Sequence, residues 1–267
     1  MNLDEGNSKV RRLFSKTLYF YRRNGLRAAL RRAVSLISKD RESIFTDIYK
    51  NSLWGKSESL SGIGSSELAT REIRAHLPVI LSTWNLMSIV DAPCGDFNWM
   101  KLLTLAPDVN YTGIDIVPDL ISNNIKKYED SQHRFILADL AADPLPKGDI
   151  VLCRDCLFHF SYNDIFLFLK NSISSGTPFL LTTTHKNDKE FQNVDVLTGE
   201  FRLLDLFSAP FSLPTDVVYR FDDFISPQPP REMCLWNRDQ IITAVAQQQR
   251  VCARCGYLNQ SMLLFDS

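Results

Sequence analysis

The chain contains no run of about 18 apolar residues, the length a helix needs to cross a bilayer, so no transmembrane helix is expected. Its first residues are charged and include no apolar stretch leading to a small-residue cleavage site, so no secretory signal is read. Cysteine is sparse. Six in 267 residues do not resemble a disulfide framework, and a reducing, cytoplasmic compartment is the simplest expectation. Internal repeats are absent, and Gln247-Gln-Gln249 is too short to count as low complexity. Net charge is also nearly absent, at −1, but this hides an asymmetry. Residues 1–41 hold eleven Lys/Arg against three Asp/Glu, a net of +8, so the remainder carries −9. A basic arm on an acidic body suggests an anionic partner for the arm and argues against nucleic acid as the partner of the body.

What is present divides at that charge boundary. Within residues 1–41, Val10, Leu13, Phe14, Leu18 and Tyr21, then Leu26, Ala29, Leu30, Ala33, Val34 and Ile37, fall at helical spacings with arginines on the other faces. Asn24-Gly25 divides the stretch into two helices. Such an arm suits peripheral contact with an anionic membrane, here the inner membrane; packing on its own domain is the alternative. Residues 42–267 form the second unit and have an ordinary content of apolar side chains for one large core. In it, Ser61-Gly-Ile-Gly-Ser-Ser66 reads as a loop whose glycines permit close approach to a ligand, followed by a helix from Ser66 to about Ser82.

From Ile89 onward strands and helices alternate. Strands are expected at Ile89-Val90, Tyr111–Ile116, Phe135–Ala138, Asp149–Cys153 and Phe179–Thr184, with helices at Phe97–Leu105, Pro118–Tyr128 and Tyr162–Ser174. Val217–Phe221 and Met233–Trp236 are expected as a closing antiparallel hairpin, and Arg238–Gln249 as a helix. The fold class implied is α/β: a Rossmann-like, seven-stranded, mostly parallel sheet with helices on both faces.

The first strand stops at Asp91, turns through Pro93 and Gly95, and a second strand ends on Asp115, 20 residues after Gly95. A carboxylate there is placed to accept hydrogen bonds from ribose hydroxyls. A pyrophosphate-binding turn needs three glycines for close approach. Here the corresponding positions are Pro93, Gly95 and Phe97, which disfavours a nicotinamide dinucleotide. Asp139 follows the third strand, where an adenine amino group would sit. Cys153-Arg-Asp-Cys156 and Cys252-Ala-Arg-Cys255 have zinc-like spacing, but the first pair begins inside a buried strand and the two are distant in sequence, so no metal is expected.

Asp91-Ala-Pro-Cys-Gly-Asp-Phe-Asn-Trp-Met100, Tyr111-Thr-Gly-Ile-Asp-Ile116, Ala138-Asp-Leu140 and Leu152–Phe160 together resemble class I methyltransferases that use S-adenosylmethionine (SAM). More narrowly, they resemble a small bacterial subgroup with an Asp-x-Pro-Cys-Gly-Asp-Phe-x-Trp signature. The resemblance implies SAM as cofactor, bound by Asp91, Pro93, Gly95, Asp115, Ile116, Asp139 and Leu140. Trp54 and the Ser61–Ser65 segment with Gly62 close over its methionine end. Arg154, read from its place after the fourth strand, is a candidate to bind an acidic substrate or the cofactor carboxylate, or else a salt-bridged structural residue. The resemblance further implies methyl transfer to a sugar or another glycan-related small molecule. For a hydroxyl acceptor, His159 or Asp155 is the candidate base, and His185 is a second histidine at the same rim. A non-catalytic interaction protein that retains the fold is the alternative reading.

Overall fold

Short apolar runs that end on polar residues become the strands of one sheet. The computed structural model describes residues 40–55, 58–188 and 190–255. The two helices read within residues 1–39 lie outside the described residues, as does the tail from 256 onward. The strands are β1 (Ser88–Asp91), β2 (Asn110–Asp115), β3 (His133–Leu137), β4 (Ile150–Cys153), β5 (Phe179–His185), β6 (Tyr219–Asp222) and β7 (Arg231–Asn237), in the order β3-β2-β1-β4-β5-β7-β6. β1 to β5 pair in parallel, and β7 runs antiparallel to both β5 and β6. The expected closing hairpin is therefore present, and six strands share one direction. All of β4 and nearly all of β5 and β7 are buried, as a sheet covered on both faces requires.

The helices are α1 (Arg41–Lys50), α2 (Arg71–Thr83), α3 (Pro118–Tyr128), α4 (Tyr162–Ser174) and α5 (Arg238–Cys255). Pro118 opens α3, where its missing N–H has no partner to lose. Ser161 caps α4 by accepting from the Asp164 N–H at 3.2 Å. None of the described helices is long and apolar enough to cross a membrane.

Three local expectations need correction. The helix expected from Phe97 to Leu105 does not form; only a 3-10 turn at Met100–Leu102 is present. Phe97 adopts a left-handed conformation, φ 57°, that no α-helix tolerates. Its buried ring sits among Tyr111, Tyr128, His133 and Phe135, which holds it there. No helix N-terminus therefore faces the turn after β1. The helix expected from Ser66 begins at Arg71, because Ser66 closes a separate turn by accepting from the Ala69 and Thr70 N–H groups. Helix α1 was not anticipated, although Asp40 caps it and Ile44, Phe45 and Ile48 bury one face.

Strand order reverses between β1 and β4. In an open parallel sheet, the loops leaving the carboxyl ends on either side of such a point diverge and leave a crevice. Asp91 ends β1, Asp115 ends β2 and His185 ends β5 at this rim.

Candidate active site

A cavity of about 330 Å³ opens at that rim. It is bordered by the two strand-end carboxylates Asp91 and Asp115, by the turn residues Pro93 and Gly95, and by Ile116, Asp139 and Leu140. Trp54 and Gly62 border it from the loop after α1; Arg154, Asp155 and His159 do so from the loop after β4. Residues read from separate stretches of sequence thus meet around one space.

The carboxylates are set by backbone. Asp115 accepts from the Val117 N–H at 3.0 Å through Oδ1 and from the Gly95 N–H at 3.2 Å through Oδ2. Burial pushes its pKa up to about 6, partly offset by these hydrogen bonds. Asp91 accepts from the Tyr111 hydroxyl at 2.7 Å. Burial raises it to about 7; the Tyr111 hydrogen bond works against this and the nearby Asp115 charge adds to it. Gly95 stands at φ 57°, and a Cβ there would meet Ser61 Oγ at 2.5 Å, so the turn and the loop over it close only because the side chain is missing. Asp96 fastens that loop, accepting from Ser59 Oγ at 2.9 Å and from the Leu60 N–H at 2.7 Å.

Raised carboxylates have a measurable consequence. In the unfolded chain Asp115 titrates near 3.8; folded, it titrates near 6. Between about pH 4 and pH 7 the folded state therefore binds more protons than the unfolded state, and stability from this group is lost as pH rises. Thermal melts across this window are expected to show the wild type losing stability relative to Asp115→Asn as pH increases. A constant difference between the two proteins would contradict the assignment.

The loop after β4 holds its charges in a tight cluster. Arg231 of β7 donates to Asp155 Oδ1 from Nε and to Asp155 Oδ2 from Nη2, both at 2.9 Å. Burial alone would raise Asp155, but Arg154 and Arg231 outweigh it and hold the carboxyl below its usual range. That makes Asp155 a weak proton acceptor. Arg154 donates to Asp223 Oδ2 (2.7 Å) and to the carbonyls of Gly64 (2.7 Å) and Ala69 (3.2 Å), so its guanidinium ties the 64–69 loop to the sheet. Gly64 is required there, since a Cβ would lie 2.7 Å from Asp155 Oδ2.

The two histidines differ in tautomer. His159 Nδ1 lies 3.1 Å from the Glu200 carbonyl, which only accepts, so Nδ1 carries a proton. His185 is reversed. The Leu204 N–H donates to its Nδ1 at 3.1 Å, leaving the proton on Nε2. Burial, with the charge of Arg231, lowers His185 to about 4. His159 therefore donates from Nδ1, whereas His185 accepts there and is a neutral donor from Nε2. Trp54 stacks on His159 at 5.1 Å between centroids. Phe201 stands edge-on to Phe158 at 5.5 Å and 6.0 Å from His159, yet remains 53% exposed at the mouth. Asp96 lies within the Asp-x-Pro-Cys-Gly-Asp-Phe-x-Trp signature but was given no role there, and Phe201, Arg231, Asp223 and Arg41 were not singled out in the sequence. Their partners lie tens of residues away, and no local pattern marks them.

The fold, though not the sequence, is similar to that of known structures. No protein-family model matches the sequence, and no curated protein matches it. The structure is similar to magnesium protoporphyrin IX methyltransferase (ChlM) from Synechocystis PCC 6803 with bound SAH. The TM-score is 0.54 at 13% identity, over 74% of this chain and 100% of that one. The chain has the methyltransferase fold. A SAM-dependent methyltransferase from Leishmania major gives a TM-score of 0.53 at 15% identity, over 73% of this chain and 85% of that one. The 1,6-didemethyltoxoflavin-N1-methyltransferase of Burkholderia thailandensis, with that compound and S-adenosylhomocysteine bound, gives 0.53 at 14% identity, over 73% and 86%. Within the methyltransferase fold, the described cavity lies at the carboxyl ends of the parallel strands, beside the reversal of strand order.

Proposed function

We propose that this protein is a SAM-dependent methyltransferase acting on a hydroxyl of a sugar or another glycan-related small molecule. The observation that carries the reading is the buried Asp115 carboxylate at the end of β2, bordering the same cavity as His159. The cavity suits the cofactor in three ways. Asp115 is placed to accept hydroxyl hydrogen bonds, as a ribose diol requires. The turn at Gly95 presents bare backbone. The remaining walls are largely apolar. When bound, SAM supplies an electrophilic methyl group for in-line displacement.

The chain's own residues do the rest. Asp115 and Gly95 hold the sugar ring of the nucleoside, and Asp91 lies beside them. Leu140 and Ile116 flank the base, with Asp139 at its edge. Trp54 and the 61–65 loop exclude water from the opposite end. His159 Nε2 takes the acceptor's proton, whereas the ion-paired Asp155 and the Nε2-protonated His185 are positioned to orient it. The aromatic faces of Trp54 and Phe201 suit the flat face of a sugar ring. The resemblance to glycan-assembly enzymes supports the same class, and the basic arm before Arg41 suits an anionic membrane carrying lipid-linked acceptors.

Incubation with methyl-labelled SAM and a panel of nucleotide and lipid-linked sugars tests this reading. Transfer to a sugar hydroxyl is expected, and no transfer to any glycan would count against it. With an acceptor in hand, His159→Gln is expected to lower kcat by about a hundredfold or more while SAH affinity changes less than about twofold. An unchanged kcat would remove His159 as the base.

A further inference from the structure

Arg41 lies at the wrong end of its helix. It is the first residue of α1, where the unpartnered N–H groups favour anions, and a cation there costs stability. Its side chain instead borders the cavity and bridges two carboxylates. Nε donates to Asp139 Oδ2 at 2.7 Å, and Nη1 donates to Asp164 Oδ1 at 2.9 Å. These bonds span 98 and 123 residues, and Arg41 and Asp164 are both largely shielded from water, at 19% and 9% side-chain exposure. Both acceptors are anchored in turn. Asp139 Oδ1 accepts from the Ala141 N–H at 2.9 Å, and Asp164 Oδ2 accepts from the Thr198 hydroxyl. Arg41 and Asp139 border the same cavity.

A partly buried guanidinium between two fixed carboxylates is a rigid tie rather than a loose surface pair. It does two things. It leaves Asp139 with one orientation, its remaining lone pairs directed by the two N–H donors already in place. It also pins the start of α1 against the first turn of α4 at the Asp139 border of the cavity.

We propose that Arg41 is a cofactor-positioning residue: bridged to Asp139 and Asp164, it aims the Asp139 carboxylate at the adenine and holds the cavity closed behind it. This inference rests on the SAM-binding reading above. Release of bound nucleoside then requires the bridge to open, so Arg41 governs how long the cofactor stays.

The test uses the full chain and S-adenosylhomocysteine, followed by the fluorescence of Trp54 and Trp99 in rapid mixing and by calorimetry. Arg41→Ala is expected to speed dissociation and weaken binding by about tenfold, the scale of one charge-assisted hydrogen bond. Asp164→Asn, which removes the anchor and leaves Asp139 intact, is expected to act in the same direction. Arg41→Lys is expected to recover part of the loss. Raising salt is expected to speed release from the wild type more than from Arg41→Ala. A wild type that binds no S-adenosylhomocysteine would overturn the SAM-binding reading itself. Wild-type binding together with unchanged or tighter binding in folded Arg41→Ala and Asp164→Asn would overturn the role of Arg41 alone.

Discussion

Asp115→Ala is expected to weaken S-adenosylhomocysteine binding by at least about a hundredfold, the loss of two hydrogen bonds to a charged acceptor. The carboxylate is buried, and each oxygen already takes one backbone N–H, so its position is fixed before any ligand arrives. Preorganisation of this kind makes a hydroxyl contact worth more than the same contact on a mobile surface carboxylate. Truncation also leaves the Gly95 and Val117 N–H groups without their acceptor, loosening the turn that borders the cavity. Asp115→Asn is the matched control, since it keeps the shape and removes the charge, and it is expected to fall between wild type and alanine. Calorimetry on folded samples, checked by near-ultraviolet circular dichroism, reads the effect. Equal affinities would contradict the placement of the ligand.

Arg154→Ala is expected to destabilise the fold by about 3–5 kcal/mol, enough to unfold a marginal domain. Its side chain is 4% exposed and that of Asp223 is fully buried. Burial pushes the Asp223 carboxyl up; Arg154 is the main charge that opposes this, and Arg231 adds to it. Asp223 Oδ1 has no hydrogen-bond partner, so without Arg154 the carboxylate would stand buried with no ion pair of its own and only the Arg231 charge nearby. The carbonyls of Gly64 and Ala69 would lose their donor together with it. The double variant Arg154→Met with Asp223→Leu is expected to recover part of the loss, since it removes the stranded charge but does not restore the loop contacts. Urea unfolding measures all three. A loss below about 1 kcal/mol for Arg154→Ala would show that the cluster does not hold the loop.

These two residues show what the sequence revealed and what it did not. Asp115 was legible because its position is local: an apolar strand that stops at a carboxylate 20 residues past a glycine turn specifies both the element and its end. The strands and the closing hairpin were legible for the same reason. Arg154 could be found, but its role stayed open between ligand and structure. Its deciding partner, Asp223, lies 69 residues away, next to β6, and nothing near Arg154 encodes that pairing. Arg231, which fixes the state of Asp155, is 76 residues distant. The failed helix after β1 has a different origin. The 97–105 stretch has plausible helical spacing, but Phe97 buries its ring among aromatics from β2, α3 and β3, and that tertiary packing overrides local propensity.

Titration of S-adenosylhomocysteine into the wild-type chain by calorimetry puts the account at greatest risk. Single-site binding with a Kd on the order of micromolar, and no heat from NAD under the same conditions, is the outcome this structure predicts. A folded sample that takes up no S-adenosylhomocysteine at saturating concentration would contradict it.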